Sequence, residues 1–127
     1  MRIIRGSEIA FIPASHEDQE RPGVLKRVLA TRDELLDGRV QMINWANLPA
    51  GSSFQPHYHE DMEEVFIILT GRVEMTVDGT SNELAAGDAI AIAPREVHTM
   101  KNLTDSDLEY IVVGISTGEG GKTVVVA

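Results

Sequence analysis

The sequence predicts an all-β protein, a sandwich or a barrel, and three observations carry that prediction. Between residues 39 and 115 the chain is cut into strand-length pieces by Pro49-Ala50-Gly51, Gly71, Asp78-Gly79, Gly87-Asp88, Pro94 and the polar stretch 102–107, which is the turn spacing of two-sheet β folds. Several pieces alternate apolar and polar residues with the period of two of a half-buried strand. The longest uncharged apolar runs, 65–69 and 111–115, have the length of strands and fall far short of the roughly 20 residues that a membrane-crossing helix needs. On the order of six to eight strands are expected, enough for a closed or two-sheet core.

Size and charge narrow the possibilities further. At 127 residues, 43% hydrophobic and 24% charged, the chain makes one domain of ordinary globular balance. Eleven Lys and Arg stand against 20 Asp and Glu, a formal charge of −9 that repels nucleic acid and anionic membrane surfaces, so neither is an expected partner. There is no cysteine, which removes disulfides, thiolate metal sites and thiol nucleophiles; any metal must be held by His, Asp or Glu. Charges interrupt Met1-Arg2-Ile3-Ile4-Arg5-Gly6-Ser7-Glu8 before a secretory apolar core can form, and a cytoplasmic protein is expected.

The elements follow in order. Residues 13–23, polar, acidic and bounded by prolines, read as an exposed loop or arm with His16 in solvent. Residues 24–30 alternate like a strand, and 31–38 look like a turn or a single helical turn ended by Gly38. In 65–69 both faces are apolar, so one side covers the core and the other a second sheet or a partner subunit. In 72–78, Val73, Met75 and Val77 share a face and the strand runs into Asp78-Gly79, the signature of a tight hairpin. The stretch 116–123 looks like a phosphate-binding loop, but Ser116 stands where glycine is needed and only a strand-like tail follows; nucleotide binding is rejected. The sequon Asn102-Leu103-Thr104 carries no meaning without export.

His57 and His59 lie two residues apart, and on a strand such residues point to the same side. Taken alone, the pair suits a metal site and a surface His-x-His equally. Around it, however, stand Gly51, Glu64 and Gly71 in the string G-x5-H-x-H-x4-E-x6-G, and Gly87 precedes His98 by eleven residues with Asn102 beyond it. This arrangement, over roughly residues 40–115, resembles the two motifs of the cupin superfamily. The resemblance implies a double-stranded β-helix (jelly-roll) barrel, here a single domain over 1–127 with an N-terminal arm at 1–38, a barrel core at about 39–117 and a C-terminal strand at 118–127. It also implies that His57, His59, Glu64 and His98 bind one divalent metal. Glu63 is an adjacent competitor for the carboxylate, but the motif spacing selects Glu64, and strand parity forbids both from pointing inward. The second motif departs from the common pattern at Arg95, where glycine is usual, which puts that turn in doubt.

Three imidazoles and a carboxylate suit Fe, Mn, Ni, Cu or Zn, with one or two positions left for a ligand. Parity places Gln55 with the histidine pair, Phe66 with Glu64, Met100 with His98 and Met75 on the apolar hairpin face, and these four are the expected pocket lining; Trp45 and Tyr110 could join them. The resemblance implies a metal-dependent enzyme acting on a small organic molecule, such as a dioxygenase-like oxidoreductase in which Glu64 doubles as proton acceptor. Sugar-phosphate isomerase-like chemistry needs basic side chains, for which Arg95 and Lys101 are the nearby choices, and Lys101 has the wrong parity. Oxalate chemistry is disfavoured by Phe54, which stands where the related decarboxylases carry arginine. A non-catalytic small-molecule or sugar binder is the alternative from another class. Small cupins are commonly homodimers, and the apolar edge segments 24–30 and 122–126 give a physical reason to expect one here.

Overall fold

The structure, a computed structural model, describes residues 2–116 and 122–126. Among the described residues, eleven strands form two antiparallel sheets. One holds six strands in the order β1 (Ile12–Pro13), β2 (Leu25–Thr31), β3 (Val40–Leu48), β10 (Leu108–Ser116), β5 (Met62–Ile68), β8 (Ala89–Ile92). The other holds five in the order β11 (Thr123–Val125), β4 (His57–His59), β9 (His98–Asn102), β6 (Arg72–Val77), β7 (Thr80–Ala85). The count exceeds the expected six to eight because β1, β4 and β11 are too short, at two or three residues, to show a period in the sequence.

The two sheets face each other as a jelly-roll barrel, and the alternation along each strand decides what they enclose. In β10 every second residue from Leu108 to Ser116 is buried. The inward side chains Leu48, Phe66, Ile68, Ile92, Leu108 and Tyr110 of one sheet meet Val73, Met75 and Met100 of the other. Burying such side chains contributes about 1.5–3 kcal/mol each. The β6–β7 hairpin turns where expected, with Asp78 at φ +46° and Gly79 at φ +83°, the double left-handed geometry of a two-residue hairpin loop. The two-faced reading of 65–69 also has an outcome: Phe66 and Ile68 are buried, while Ile67 and Leu69 are each 38% exposed.

Residues 31–38 hold a single 3-10 turn, Arg32–Glu34, with Thr31 and Glu34 forming a reciprocal capping box. Within residues 1–38, expected as an N-terminal arm, β1 and β2 pair into the six-stranded sheet. The loop between them, read from sequence as solvent-exposed, is tied to the barrel. Buried Glu17 accepts hydrogen bonds from the backbone N–H of Gly23 and of Gln55, both at 2.8 Å. Gly23 is required there, because a Cβ would lie 2.1 Å from the Ser53 carbonyl oxygen and 2.6 Å from Glu17 Oε1. β11 forms an edge strand beside β4; the turn expected just before it lies outside the described residues.

Candidate metal centre

Three strands bring the cluster together. β4 presents His57 and His59 to the interior with Tyr58 between them half-buried, as the period of two requires. β9 lies beside β4 with His98 in register opposite His57. Glu64 comes from β5 in the opposite sheet and is buried, whereas Glu63 is exposed. One ligand atom from each of His57, His59, Glu64 and His98 lies within 4.8 Å of the others, and all four residues are buried.

The outer nitrogen of each imidazole is engaged, which fixes the direction of the inner one. His57 Nδ1 donates to the Gln55 carbonyl at 2.7 Å and His98 Nδ1 to the Glu96 carbonyl at 3.0 Å. His59 Nδ1 meets the Thr123 hydroxyl at 3.0 Å. Every Nε2 therefore turns inward. His59 Nε2 and His98 Nε2 lie 2.7 Å and 3.1 Å from one atom, Glu64 Oε1. Two ring nitrogens thus share one carboxylate oxygen, an arrangement that a proton or a cation between them makes favourable. Nitrogen and carboxylate donors converging on one point, with outer partners that hold the rings, fit a divalent transition metal.

Electrostatics agree with this reading. Burial pushes the pKa of His57 down to about 3, helped by the neighbouring His16 and His98 and opposed by the Gln55 carbonyl, so its ring is neutral in the physiological range and free to be a ligand. Burial works to raise the Glu64 carboxyl, but hydrogen bonds from His59 and His98 outweigh it and hold the pKa at about 2. Burial raises the Tyr110 phenol, which keeps it protonated as a hydrogen-bond donor.

His57, His59 and Glu64, but not His98, line a cavity of about 530 Å³, a size suited to a small molecule. Of the pocket residues expected from sequence, Phe66 lines it and Gln55, Met75 and Met100 do not. The Gln55 side chain is exposed, because residues 54–56 precede β4 and strand parity does not extend through Pro56; Phe54 is the residue that turns in. Met75 and Met100 are buried in the apolar core, on the inner face but away from the cavity. Trp45 is on the outer face of β3, its Nε1 donating to Glu109, whereas Tyr110 lines the cavity. Arg95 and Lys101 are not among the lining residues. Arg95 adopts φ +69° in place of the usual glycine, and its N–H donates to the His59 carbonyl at 2.7 Å, so the doubtful turn forms and braces a cluster residue.

His16 is the largest departure from the sequence reading. Instead of lying in solvent, its side chain is only 20% exposed and its ring packs on that of His57 with centroids 4.2 Å apart. Ser15, Lys26, Gln41, Asn44 and Thr123 also line the cavity and were not expected. Thr123 alone left a trace in the sequence, as a polar residue opening a terminal strand; the others carry no local signal.

Residues 44–114 match the family model of the cupin domain. The chain belongs to the cupin superfamily. An oxalate-binding protein of Thermotoga maritima is 30% identical over 111 residues, covering 87% of this chain and 91% of that protein. An uncharacterized protein of Methanocaldococcus jannaschii is 35% identical over 74 residues, and this chain spans 59% of its length. The crystal structure of a predicted oxalate decarboxylase from T. maritima superposes with a TM-score of 0.80 at 28% identity, over 91% of this cupin and 99% of that chain. No helix among the described residues is long and apolar enough to cross a membrane.

Proposed function

We propose that this cupin holds one divalent transition metal, Fe, Mn, Ni, Cu or Zn, through His57, His59, Glu64 and His98, and acts with it on a small organic molecule as a dioxygenase-like oxidoreductase. The convergence of three imidazoles and one carboxylate beside a cavity that His57, His59 and Glu64 line carries the proposal. When bound, such an ion supplies Lewis acidity and, if redox-active, a path for electrons. The protein's own groups do the rest. Phe54, Phe66 and Val112 give the cavity apolar walls that exclude water and strengthen every polar interaction inside. The Tyr110 phenol orients a ligand oxygen as donor, and Glu64, ionised throughout the neutral range, takes a proton from the ligand.

The test is oxygen uptake by metal-loaded protein with a panel of enols, catechols and hydroxylated rings. Uptake that is lost with chelator and in His57→Ala supports the enzyme. Saturable binding without uptake, across every metal, favours a second reading: a non-catalytic binder of small acids, which the oxalate-binding relative supports. We further propose a cytoplasmic homodimer built on its sheet edges, of which β11 leaves Val125 46% exposed; a dimer mass in light scattering is expected, and a monomer at micromolar concentration contradicts it.

A further inference from the structure

The loop before β2 buries a carboxylate. Glu17 is 7% exposed, and no Lys or Arg pairs with it among the described residues. Its two oxygens are taken by the main chain instead, Oε1 by the N–H of Gly23 and Oε2 by the N–H of Gln55, each at 2.8 Å. Burying a charge without a cationic partner costs stability. Ser52 Oγ already ties the same loop to the segment before β4, donating to the Gly23 carbonyl at 2.7 Å, so loop closure by itself does not call for a carboxylate.

The second residue that Glu17 holds leads to the cluster. Residues 52–54 are fixed by β9, with Phe54 N–H donating to the Met100 carbonyl at 3.3 Å and Thr99 Oγ1 to the Phe54 carbonyl at 2.6 Å. Pro56 has no N–H to give. Between Phe54 and His57 the Gln55 N–H is therefore the one backbone donor, and Glu17 is its partner. The carbonyl of the same Gln55 accepts from His57 Nδ1 at 2.7 Å. An unbroken path thus runs from a buried carboxylate through one backbone residue to a cluster imidazole. The preceding residue adds a second hold on the same ring, since His16 packs on His57 with centroids 4.2 Å apart.

His98 shows why His57 needs such a support. Its outer partner, the Glu96 carbonyl, belongs to a turn that closes on itself: Glu96 N–H donates to the Ala93 carbonyl at 3.2 Å, and Glu96 Oε1 accepts from the Ala93 N–H at 2.7 Å. Gln55 lies in no such turn, and its hold comes from a loop 38 residues away. We propose that Glu17 is a positioning residue of the metal centre, fixing the Gln55 carbonyl that orients His57 and so the direction in which His57 Nε2 points. Its effect on metal affinity rests on the centre proposed above; its effect on the His57 ring does not.

The test compares Glu17→Met, which keeps the length of the side chain and removes both acceptors, with Ser52→Ala, which removes the other tether of the same loop. Two quantities are read on folded protein: Zn(II) affinity by chelator competition, and, without metal, the downfield proton resonance of the His57 ring N–H, assigned by its absence from His57→Asn. Glu17→Met is expected to bind Zn(II) at least about 10-fold more weakly, as outer partners of metal ligands do when removed, and to lose the resonance to exchange with water. Ser52→Ala should lower the denaturation midpoint and leave both quantities as in wild type. A Glu17→Met variant that keeps wild-type affinity or keeps the resonance overturns the proposal, and so does Ser52→Ala that weakens Zn(II) as far as Glu17→Met does. If Glu17→Met does not fold, Glu17→Gln, which retains one acceptor oxygen, is judged by the same two readings. Wild type that takes up no Zn(II) refutes the metal centre, and the ring resonance then decides the role of Glu17, so the two failures are distinguishable.

Discussion

Strand β9 carries two buried polar side chains four residues apart, and they behave in opposite ways. Asn102, at one end, is 1% exposed and fully partnered. Its amide N–H groups reach the carbonyls of Leu48, Pro49 and Ser106, and its oxygen accepts from the Thr104 N–H and hydroxyl. His98, at the other end, is equally buried, but its inner nitrogen shares a single carboxylate oxygen with His59. The Asn102 end closes the barrel, knitting the loop after β3 to the loop before β10. The His98 end packs against His57, His59 and Glu64, the three cluster residues that line the cavity. A polar group that the chain satisfies by itself is structural, whereas a set of groups that crowd one another is kept for something the chain does not contain.

This contrast can be broken in order of effect. Asn102→Ala removes five hydrogen bonds and strands buried carbonyls, so about 3 kcal/mol of stability should be lost in chemical denaturation, with metal uptake by the folded fraction unchanged. A parallel loss of metal affinity would show that the two ends are one unit.

The next effect comes from pH on metal-free protein. The folded His57 titrates at about 3 instead of its ordinary 6.5, so the unfolded chain takes up a proton below 6.5 that the folded chain refuses. Stability should therefore fall as pH drops from 6.5 towards 3, by about 2 kcal/mol between 6.5 and 5. Glu64, at about 2 instead of 4.5, adds a loss of the same sign from 4.5 down. Denaturation midpoints at pH 7 and pH 5 check this, and His57→Asn should flatten the slope. The smallest effect is Thr123→Val, which leaves His59 Nδ1 without its hydroxyl partner; a competition titration should show metal affinity weaker by about 10-fold with stability little changed.

The cluster was legible in the sequence because two histidines two residues apart share a strand face, and because the spacing of Glu64 and His98 around them resembles the cupin motifs. The strands with clean alternation, above all β6 and β10, were legible for the same reason. Parity reports a face and not a height, so Met75 and Met100 were expected in the pocket and are instead in the core. It also fails at irregularities. Pro56 breaks the run that would have carried Gln55 inward, and the bulge at Gln41 reverses an outward residue. His16 and Glu17 were illegible because what buries them is a pair of backbone hydrogen bonds, one to Gln55 some 38 residues away, in a segment whose composition alone reads as exposed loop.

Metal content tests the centre most directly. Untagged protein is incubated with Fe, Mn, Ni, Cu or Zn, desalted and measured by plasma mass spectrometry beside His98→Ala, with circular dichroism to confirm that both are folded. One divalent ion per chain, absent from the variant, is the expected result for the four converging residues. Wild type that takes up no metal, or a variant that retains as much as wild type, would contradict the metal centre.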